Sequence, residues 1–198
     1  MAGILQSLQR TLIAGLVLLI GIIIIVGALT GQFIRPDHAY WTFVMRWLHV
    51  LSGVMWIGLL WYFNFVQIPT VPTIEPIEHR AAISKYIAPK ALFWFRYGAL
   101  ATVVTGALLA WMNGYILQAL TLRPGVVAIG IGMWLALIMA INVWFIIWPN
   151  QQKALGLVAA TPEEKAAAGR TAMLTSRINT LLSIPMLYCM VAQQNAGL

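Results

Sequence analysis

Long apolar runs, separated by charged or proline-containing stretches, dominate this chain of 198 residues. A membrane-spanning helix needs about 20 apolar residues, because each residue rises about 1.5 Å and the hydrocarbon layer is about 30 Å thick. The fold class that this pattern predicts is all-α: an integral membrane bundle of five transmembrane helices, forming a single domain over residues 1–198. The spans are predicted at about residues 11–29, 41–66, 93–117, 126–148 and 172–192.

The positive charges are spread unevenly over the loops that five spans create. Nine of the twelve Lys and Arg residues fall beside the N-terminus, in the loops 67–92 and 149–171, or at the span ends next to them, and three fall on the other side. Cytoplasmic loops of membrane proteins carry an excess of Lys and Arg. The bias predicts a multi-pass protein of the bacterial inner (cytoplasmic) membrane, with a cytoplasmic N-terminus and a periplasmic C-terminus.

Both predicted cytoplasmic loops carry helix signals. The segment 76–89 begins and ends with proline, which favours a short helix on the membrane surface. Thr161, Pro162 and Glu164 are typical of a helix start, with an N-cap hydroxyl, proline at the first position and glutamate at the third. This start predicts a helix that runs unbroken to about residue 192, with a kink caused by Pro185.

Composition narrows the chemistry further. The chain is 61% hydrophobic and only 9% charged, whereas about a quarter of the residues of soluble domains are charged. The net charge of +7 follows from the topology, so no nucleic acid is expected as a partner. The single cysteine, Cys189, excludes an internal disulfide and Cys-based zinc or iron–sulfur sites, and no C-x-x-C-H motif for covalent haem is present.

An ionisable side chain inside an apolar span is costly and therefore points to a site. Arg46, His49 and Trp56 share one face of the second span with Gly53, and His49 is the only histidine inside a predicted span. A cofactor site on this face would use His49 as a ligand of haem b iron, as a proton relay or as a hydrogen-bond partner of a quinone. The alternative is a neutral histidine satisfied by a helix carbonyl. Haem with two histidine ligands would need a second intramembrane histidine, so the cofactor stays open.

A second polar group is predicted at the cytoplasmic ends of the spans. Its candidate substrate-binding residues are Arg96, Asn142, Arg177 and Asn179. Two guanidinium groups with amide partners can hold a flat anionic ring. In the alternative interpretation the arginines reach the lipid headgroups and the asparagines join neighbouring helices.

Small residues recur every four positions along the third span. This ladder consists of Gly98, Thr102, Gly106, Ala110 and Gly114. Small side chains let a second helix approach closely. The ladder therefore predicts helix packing, against a partner helix in this chain or in another protein.

Four stretches resemble the membrane domain of the bacterial urate oxidase family. They are RWLHVLSGVMWIGLLWYFNFVQIP from Arg46, FRYGALATVVTGALL from Phe95, NVWFIIWPNQQK from Asn142 and SRINTLLSIPMLYCMV from Ser176. In that family an N-terminal multi-span domain is often followed by a cytochrome c. The resemblance implies oxidation of urate coupled to an electron acceptor, and its matching polar positions are His49, Arg96, Asn142, Arg177 and Asn179.

The sequence is compatible with two functions. The chain is either a component of a membrane electron-transfer system or a non-catalytic accessory subunit of a larger respiratory or photosynthetic complex. Its expected partners are the lipid bilayer and other membrane subunits or a separate cytochrome c. Fold carries over between relatives more safely than activity, so the residues do not decide whether the chain is an enzyme.

Overall fold

The computed structural model describes residues 2–195, which form helices joined by turns, without a β-strand among them. The all-α prediction is therefore confirmed over these residues. Four of the helices are long and apolar enough to cross a membrane: Leu8–Thr30, His38–Thr73, Ile77–Met112 and Val127–Ala154. The helices are α1 (Ala2–Leu5), α2 (Leu8–Thr30), α3 (His38–Thr73), α4 (Ile77–Met112), α5 (Ile116–Leu120), α6 (Val127–Ala154) and α7 (Pro162–Ala192).

The chain divides into two compact units, residues 1–41 and 42–198. In the first unit α2 ends at Gly31, whose φ of 67° is the left-handed conformation that glycine adopts most easily. The chain then turns back, so that a Cβ at Gly27 would lie 3.1 Å from the Phe33 ring. Gly27 is the one buried residue of α2.

In the second unit α3, α4, α6 and α7 form a four-helix bundle in which each helix contacts two neighbours. Phe63 of α3 and Phe95 of α4 meet edge to face, with ring centroids 5.6 Å apart. Tyr97 of α4 contacts Trp144 of α6 in the same way. The bundle closes where the Trp61 indole N–H of α3 donates a 3.1 Å hydrogen bond to a serine hydroxyl of α7. Its fully buried side chains include Trp56, Leu60, Phe95, Met139 and Val143.

Three helices of this bundle contain a π-helical turn, and a proline follows each turn at the same distance. The turns are Tyr62–Gln67, Ile83–Ile87 and Asn142–Ile147, and the prolines are Pro69, Pro89 and Pro149, each two residues beyond the end of its turn. In a regular α-helix the proline ring clashes with the carbonyl four residues earlier. A π-turn, with hydrogen bonds five residues apart, displaces that carbonyl and lets the helix continue through the proline.

This local geometry corrects two predicted boundaries. Helix α4 begins directly after Pro76, but it continues through Pro89 into the third span, so the prediction of a separate surface helix ending at that proline is wrong. The same span was predicted to reach residue 117, whereas α4 ends at Met112 because Gly114 adopts a left-handed φ of 75°. The residues beyond form α5, which is fixed to α6 by a 3.0 Å hydrogen bond from the Trp134 indole to the Leu120 carbonyl.

Helix α7 begins where its start signal predicts. The Thr161 hydroxyl accepts a 3.2 Å hydrogen bond from the backbone N–H of Glu164, and the Glu164 carboxylate accepts a 2.8 Å bond from the N–H of Thr161. The reciprocal pair satisfies two N–H groups that a helix terminus otherwise leaves unpaired. The helix then runs to Ala192 and includes Pro185, so the predicted continuous helix is confirmed.

We expect Thr161→Ala to lower the free energy of unfolding by about 1 kcal/mol, because it removes the acceptor for the Glu164 N–H. The buried Cys189 thiol is a built-in reporter, since it becomes accessible to a thiol-reactive dye when the bundle opens. The matched control is Thr171→Ala, an exposed mid-helix threonine bonded to its own helix at Ala167. Equal unfolding midpoints for the two variants would contradict the capping role.

Candidate functional site: the His49 seam

His49 lies in the seam between α3 and α4. Its Nδ1 is 2.9 Å from the Thr102 carbonyl oxygen and 3.3 Å from the Thr105 hydroxyl. A carbonyl oxygen can only accept, so Nδ1 carries the proton and donates it to Thr102. In the neutral ring the lone pair is then on Nε2, which makes no hydrogen bond within the described part of the chain. The imidazole is partly buried.

The small-residue ladder of α4 makes room for this ring. A Cβ at Gly106 would lie 2.7 Å from His49 Cε1 and 3.0 Å from Nδ1, so the imidazole rests directly on the glycine backbone. One turn nearer the start of α4, Thr102 faces Gly53 of α3. One turn nearer still, Gly98 faces the backbone of Trp56. The predicted packing role of the ladder is confirmed for these three rungs, and the partner helix is α3 of the same chain.

The other two candidates on the His49 face lie in different surroundings. Arg46 is exposed. Its charge acts on Tyr115, whose pKa is raised by burial and held down in part by the guanidinium. Trp56 is 0% exposed, and its indole nitrogen has no hydrogen-bond partner among the described residues. The structure therefore leaves Arg46 exposed and His49 partly exposed, whereas Trp56 belongs to the core.

Of the four candidate substrate-binding residues, the structure joins the two asparagines. The Asn142 side-chain amide donates a 2.8 Å hydrogen bond to Asn179 Oδ1, and the Asn179 amide donates a 3.0 Å bond to the Met139 carbonyl. Asn179 is 0% exposed. These bonds join α7 to α6 at the start of the π-turn Asn142–Ile147. The contact agrees with the alternative interpretation, in which the two asparagines join neighbouring helices.

The two arginines have separate surroundings. The Arg96 guanidinium carbon is 3.2 Å from the centroid of the Trp148 ring, and its Nε donates to the Leu92 carbonyl. A guanidinium stacked on an indole face is held by a cation–π interaction. Arg177 is exposed, on the same face of α7 as the exposed Leu174 and Leu181.

Some partners of these residues were not singled out from the sequence. The Thr102 carbonyl and the Thr105 hydroxyl fix the His49 ring, and Trp148 covers Arg96. The four-residue spacing of Gly106 and Thr102 predicts helix packing only. The signal that could have found the histidine contact is that the His49 face and the ladder both repeat every three or four residues.

We expect Gly106→Ala to destabilise the bundle by about 1–3 kcal/mol, because the new methyl group overlaps the His49 ring between two packed backbones. Gly58→Ala on α3 is the control, since a Cβ there meets nothing within 4 Å and alanine favours the helix. Labelling of Cys189 during unfolding measures both. Combining Gly106→Ala with His49→Ala removes the overlap, and a double variant no more stable than Gly106→Ala alone would contradict this contact.

Comparison with known proteins adds one match. A family model described as urate oxidase N-terminal matches residues 115–196, which is less than half of the chain. The matched part contains Asn142, Arg177 and Asn179, whereas His49 and Arg96 lie outside it. Neither curated proteins nor solved structures give a match. Residues 115–196 are thus similar to the N-terminal region of urate oxidase.

Proposed function

We propose that this protein is an integral membrane component of an electron-transfer system, and that it presents His49 to a redox group. The observation that carries the proposal is the 2.9 Å contact between Nδ1 and the Thr102 carbonyl. This contact fixes the tautomer and directs the Nε2 lone pair away from the bond. An imidazole held in this way is the usual ligand of a metal, and it equally accepts a hydrogen bond from a reduced quinone.

A haem b bound here would take one iron ligand from this chain. His49 would supply the nitrogen, and Arg46, one turn away and exposed, a charge for a haem propionate. His38 and His79 lie in the first turns of α3 and α4, so a second histidine ligand would come from a partner subunit, and a methionine or a water would be the other choices. The haem would supply one-electron chemistry, and this chain its binding and orientation.

We further propose that α7 is a fifth span. It runs antiparallel to α6 along the whole of that helix: Cys189 lies at Gly132, Asn179 at Met139 and Gly169 at Ala154. Because α7 packs beside α6 along the full length of α6, α7 crosses the membrane if α6 does. The buried polar groups of α7 face this bundle. Beyond the exposed Arg177, the outer face of α7 carries the apolar side chains Ile178, Leu181, Ile184 and Val191, which is the arrangement that lipid requires. The excess of Lys and Arg on one side favours a cytoplasmic N-terminus in the inner membrane.

A topology reporter tests the fifth span. Alkaline phosphatase fused after Leu198 is expected to be active, because five crossings from a cytoplasmic N-terminus bring the C-terminus to the periplasm. The same reporter fused in the loop before Thr161 is expected to be inactive. Activity before Thr161 together with inactivity after Leu198 would reverse the orientation, and equal activity at both points would exclude α7 as a span.

A reduced-minus-oxidised absorption spectrum of the chain, purified gently from native membranes, tests the redox group. We expect a b-type haem or a bound quinone at about one per chain. His49→Ala is expected to abolish the signal while the protein still inserts, and His79→Ala, an exposed histidine in the first turn of α4, to leave it unchanged. A signal that persists in His49→Ala would reject the assignment. A haem-loaded preparation would then be assayed for urate oxidation with added cytochrome c.

The second candidate function is a non-catalytic accessory subunit of a larger membrane complex. The observation that favours it is that three candidate site residues, Trp56, Asn142 and Asn179, are used for packing. Identification of every protein that co-purifies in the same sample separates the two functions. A fixed stoichiometry with a large complex, without a redox group on this chain, would favour the accessory function.

A further inference from the structure

A cationic side chain without a carboxylate partner lies between α4 and α6. The Arg96 guanidinium is stacked on the Trp148 indole, with its carbon 3.2 Å from the ring centroid and 5.6 Å from the centroid of the Trp144 ring. In the part of the chain that the structure describes, the one ion pair joins Arg80 to Glu75, so no carboxylate neutralises Arg96. The charge of Arg96 is thus available to an anion from outside the chain.

The stacking leaves the far edge of the guanidinium open. Its Nε donates a 3.2 Å hydrogen bond to the Leu92 carbonyl, whereas Nη1 and Nη2 make no hydrogen bond within the described residues. Arg96 is half-buried, and neither terminal nitrogen is among the buried polar atoms that lack a partner, so both reach the protein surface. Two parallel N–H groups on this edge match two oxygens of a phosphate. The indole holds the plane of the guanidinium, so little side-chain freedom is lost when an anion binds.

Arg96 and Trp148 both lie at the level of lipid headgroups. Arg96 precedes Met112, the last residue of α4, by sixteen residues, which corresponds to about 24 Å along a helix and to most of the ~30 Å hydrocarbon layer. Trp148 follows Val127, the first residue of α6, by twenty-one residues, or about 32 Å. Tryptophan is enriched at this level of membrane proteins, and long arginine side chains extend towards the headgroups. The phosphate of a lipid is thus within reach of the guanidinium.

From Arg96 towards the middle of the membrane, the outer face of α4 is apolar. Large side chains that are 44–47% exposed recur there every three or four residues, at Tyr97, Leu100 and Val104. The Tyr97 ring also meets the Trp144 ring of α6 edge to face, with centroids 5.7 Å apart. The partner that fits this surface is therefore an amphiphile, with an anionic head at the guanidinium and an apolar chain along α4.

We propose that Arg96 and Trp148 bind the phosphate headgroup of an anionic phospholipid, whose acyl chain lies along Tyr97, Leu100 and Val104. The phosphate accepts hydrogen bonds from Nη1 and Nη2 of Arg96. A choline headgroup is cationic and finds no counter-charge there, since no described carboxylate pairs with Arg96. The site therefore prefers phosphatidylglycerol to phosphatidylcholine. It requires that α4 and α6 span a membrane, in either orientation.

Native mass spectrometry of the full chain tests this preference. The protein, stripped of lipid in detergent, is mixed with equal amounts of phosphatidylglycerol and phosphatidylcholine that carry the same acyl chains. We expect the first bound lipid to be phosphatidylglycerol about tenfold more often, as a charge-assisted bidentate contact predicts. Arg96→Gln is expected to remove most of the preference. His49→Ala is expected to keep it, so failure of this proposal and failure of the redox assignment are distinguishable.

The matched control is Arg177→Gln, which removes an exposed arginine from the outer face of α7. No aromatic ring of the described residues covers the Arg177 guanidinium, so this variant is expected to keep the preference. Equal losses in Arg96→Gln and Arg177→Gln would overturn the proposal, because general charge attraction would then explain them. Arg96→Lys keeps the charge without the fork of donors, and full retention of the preference in this variant would overturn the bidentate contact.

Two measurements on the unmodified protein keep the proposal falsifiable if a variant folds poorly. A phosphatidylglycerol with a photoreactive group beside its headgroup is expected to label α4 and α6 around Tyr97 and Trp148, and labelling confined to other helices would overturn the proposal. An excess of inorganic phosphate is expected to leave the bound phosphatidylglycerol in place, because free phosphate lacks the acyl chain. Displacement by free phosphate would overturn the assignment to a lipid, as would equal binding of the two lipids.

Discussion

Every polar group that these helices carry into a membrane must find its partner within the protein, because lipid tails offer none. In the second unit, bonds between helices meet this requirement for several polar side chains, whereas four buried side-chain atoms, including the Trp56 indole nitrogen, have no partner among the described residues. Trp61 and Asn64 of α3 bond to serines of α7, Asn142 of α6 bonds to Asn179 of α7, and His49 bonds to a carbonyl of α4. These contacts fix the rotation of each helix about its axis, which apolar packing alone leaves loosely defined.

The same requirement explains why glycine and π-turns occur where they do. The His49 ring reaches the Thr102 carbonyl only because Gly106 allows the two helices to approach. The π-turns free backbone and side-chain groups near Pro69 and Pro149, and Asn64, Gln67 and Asn142 lie in those turns. Irregular backbone at membrane depth is tolerated where protein surrounds it. The deviations from regular helix therefore coincide with the polar contacts of the bundle.

The elements of this fold were largely predictable from the sequence, because length and hydropathy determine where an apolar helix lies. The start of α7 was predictable to the residue, since capping depends on local groups alone. Pro89 misled the prediction, because a π-turn that accommodates proline depends on the packing of α4. The end of α4 was missed for another reason: Gly114 continues the spacing of the ladder, and only its backbone conformation shows that it ends the helix.

The candidate site was harder to predict than the fold. His49 is identifiable by its rarity in an apolar span, but the partner that fixes its tautomer is a backbone carbonyl, which no sequence pattern marks. The asparagines and arginines appeared as one group because they lie at similar depth. The direction in which a side chain leaves its helix matters as well as its depth. The rotation of α7 about its axis places Asn179 inside the bundle and Arg177 outside it. Helical rotation is decided by tertiary contacts, so it was not available from the spans alone.

His49 and Gln67 both belong to α3, and their spacing separates their roles. Gln67 follows His49 by eighteen residues, which corresponds to about 27 Å along a helix and is close to the thickness of the hydrocarbon layer. The two residues therefore lie towards opposite faces of the membrane and cannot contact one small ligand. His49 is held in the seam between α3 and α4, whereas the Gln67 side chain lines an uncharged cavity of about 300 Å³ between α3, α4, α6 and α7, with its amide oxygen buried and unpaired among the described residues. A change at His49 consequently leaves the contacts around Gln67 unchanged, because no small molecule touches both residues.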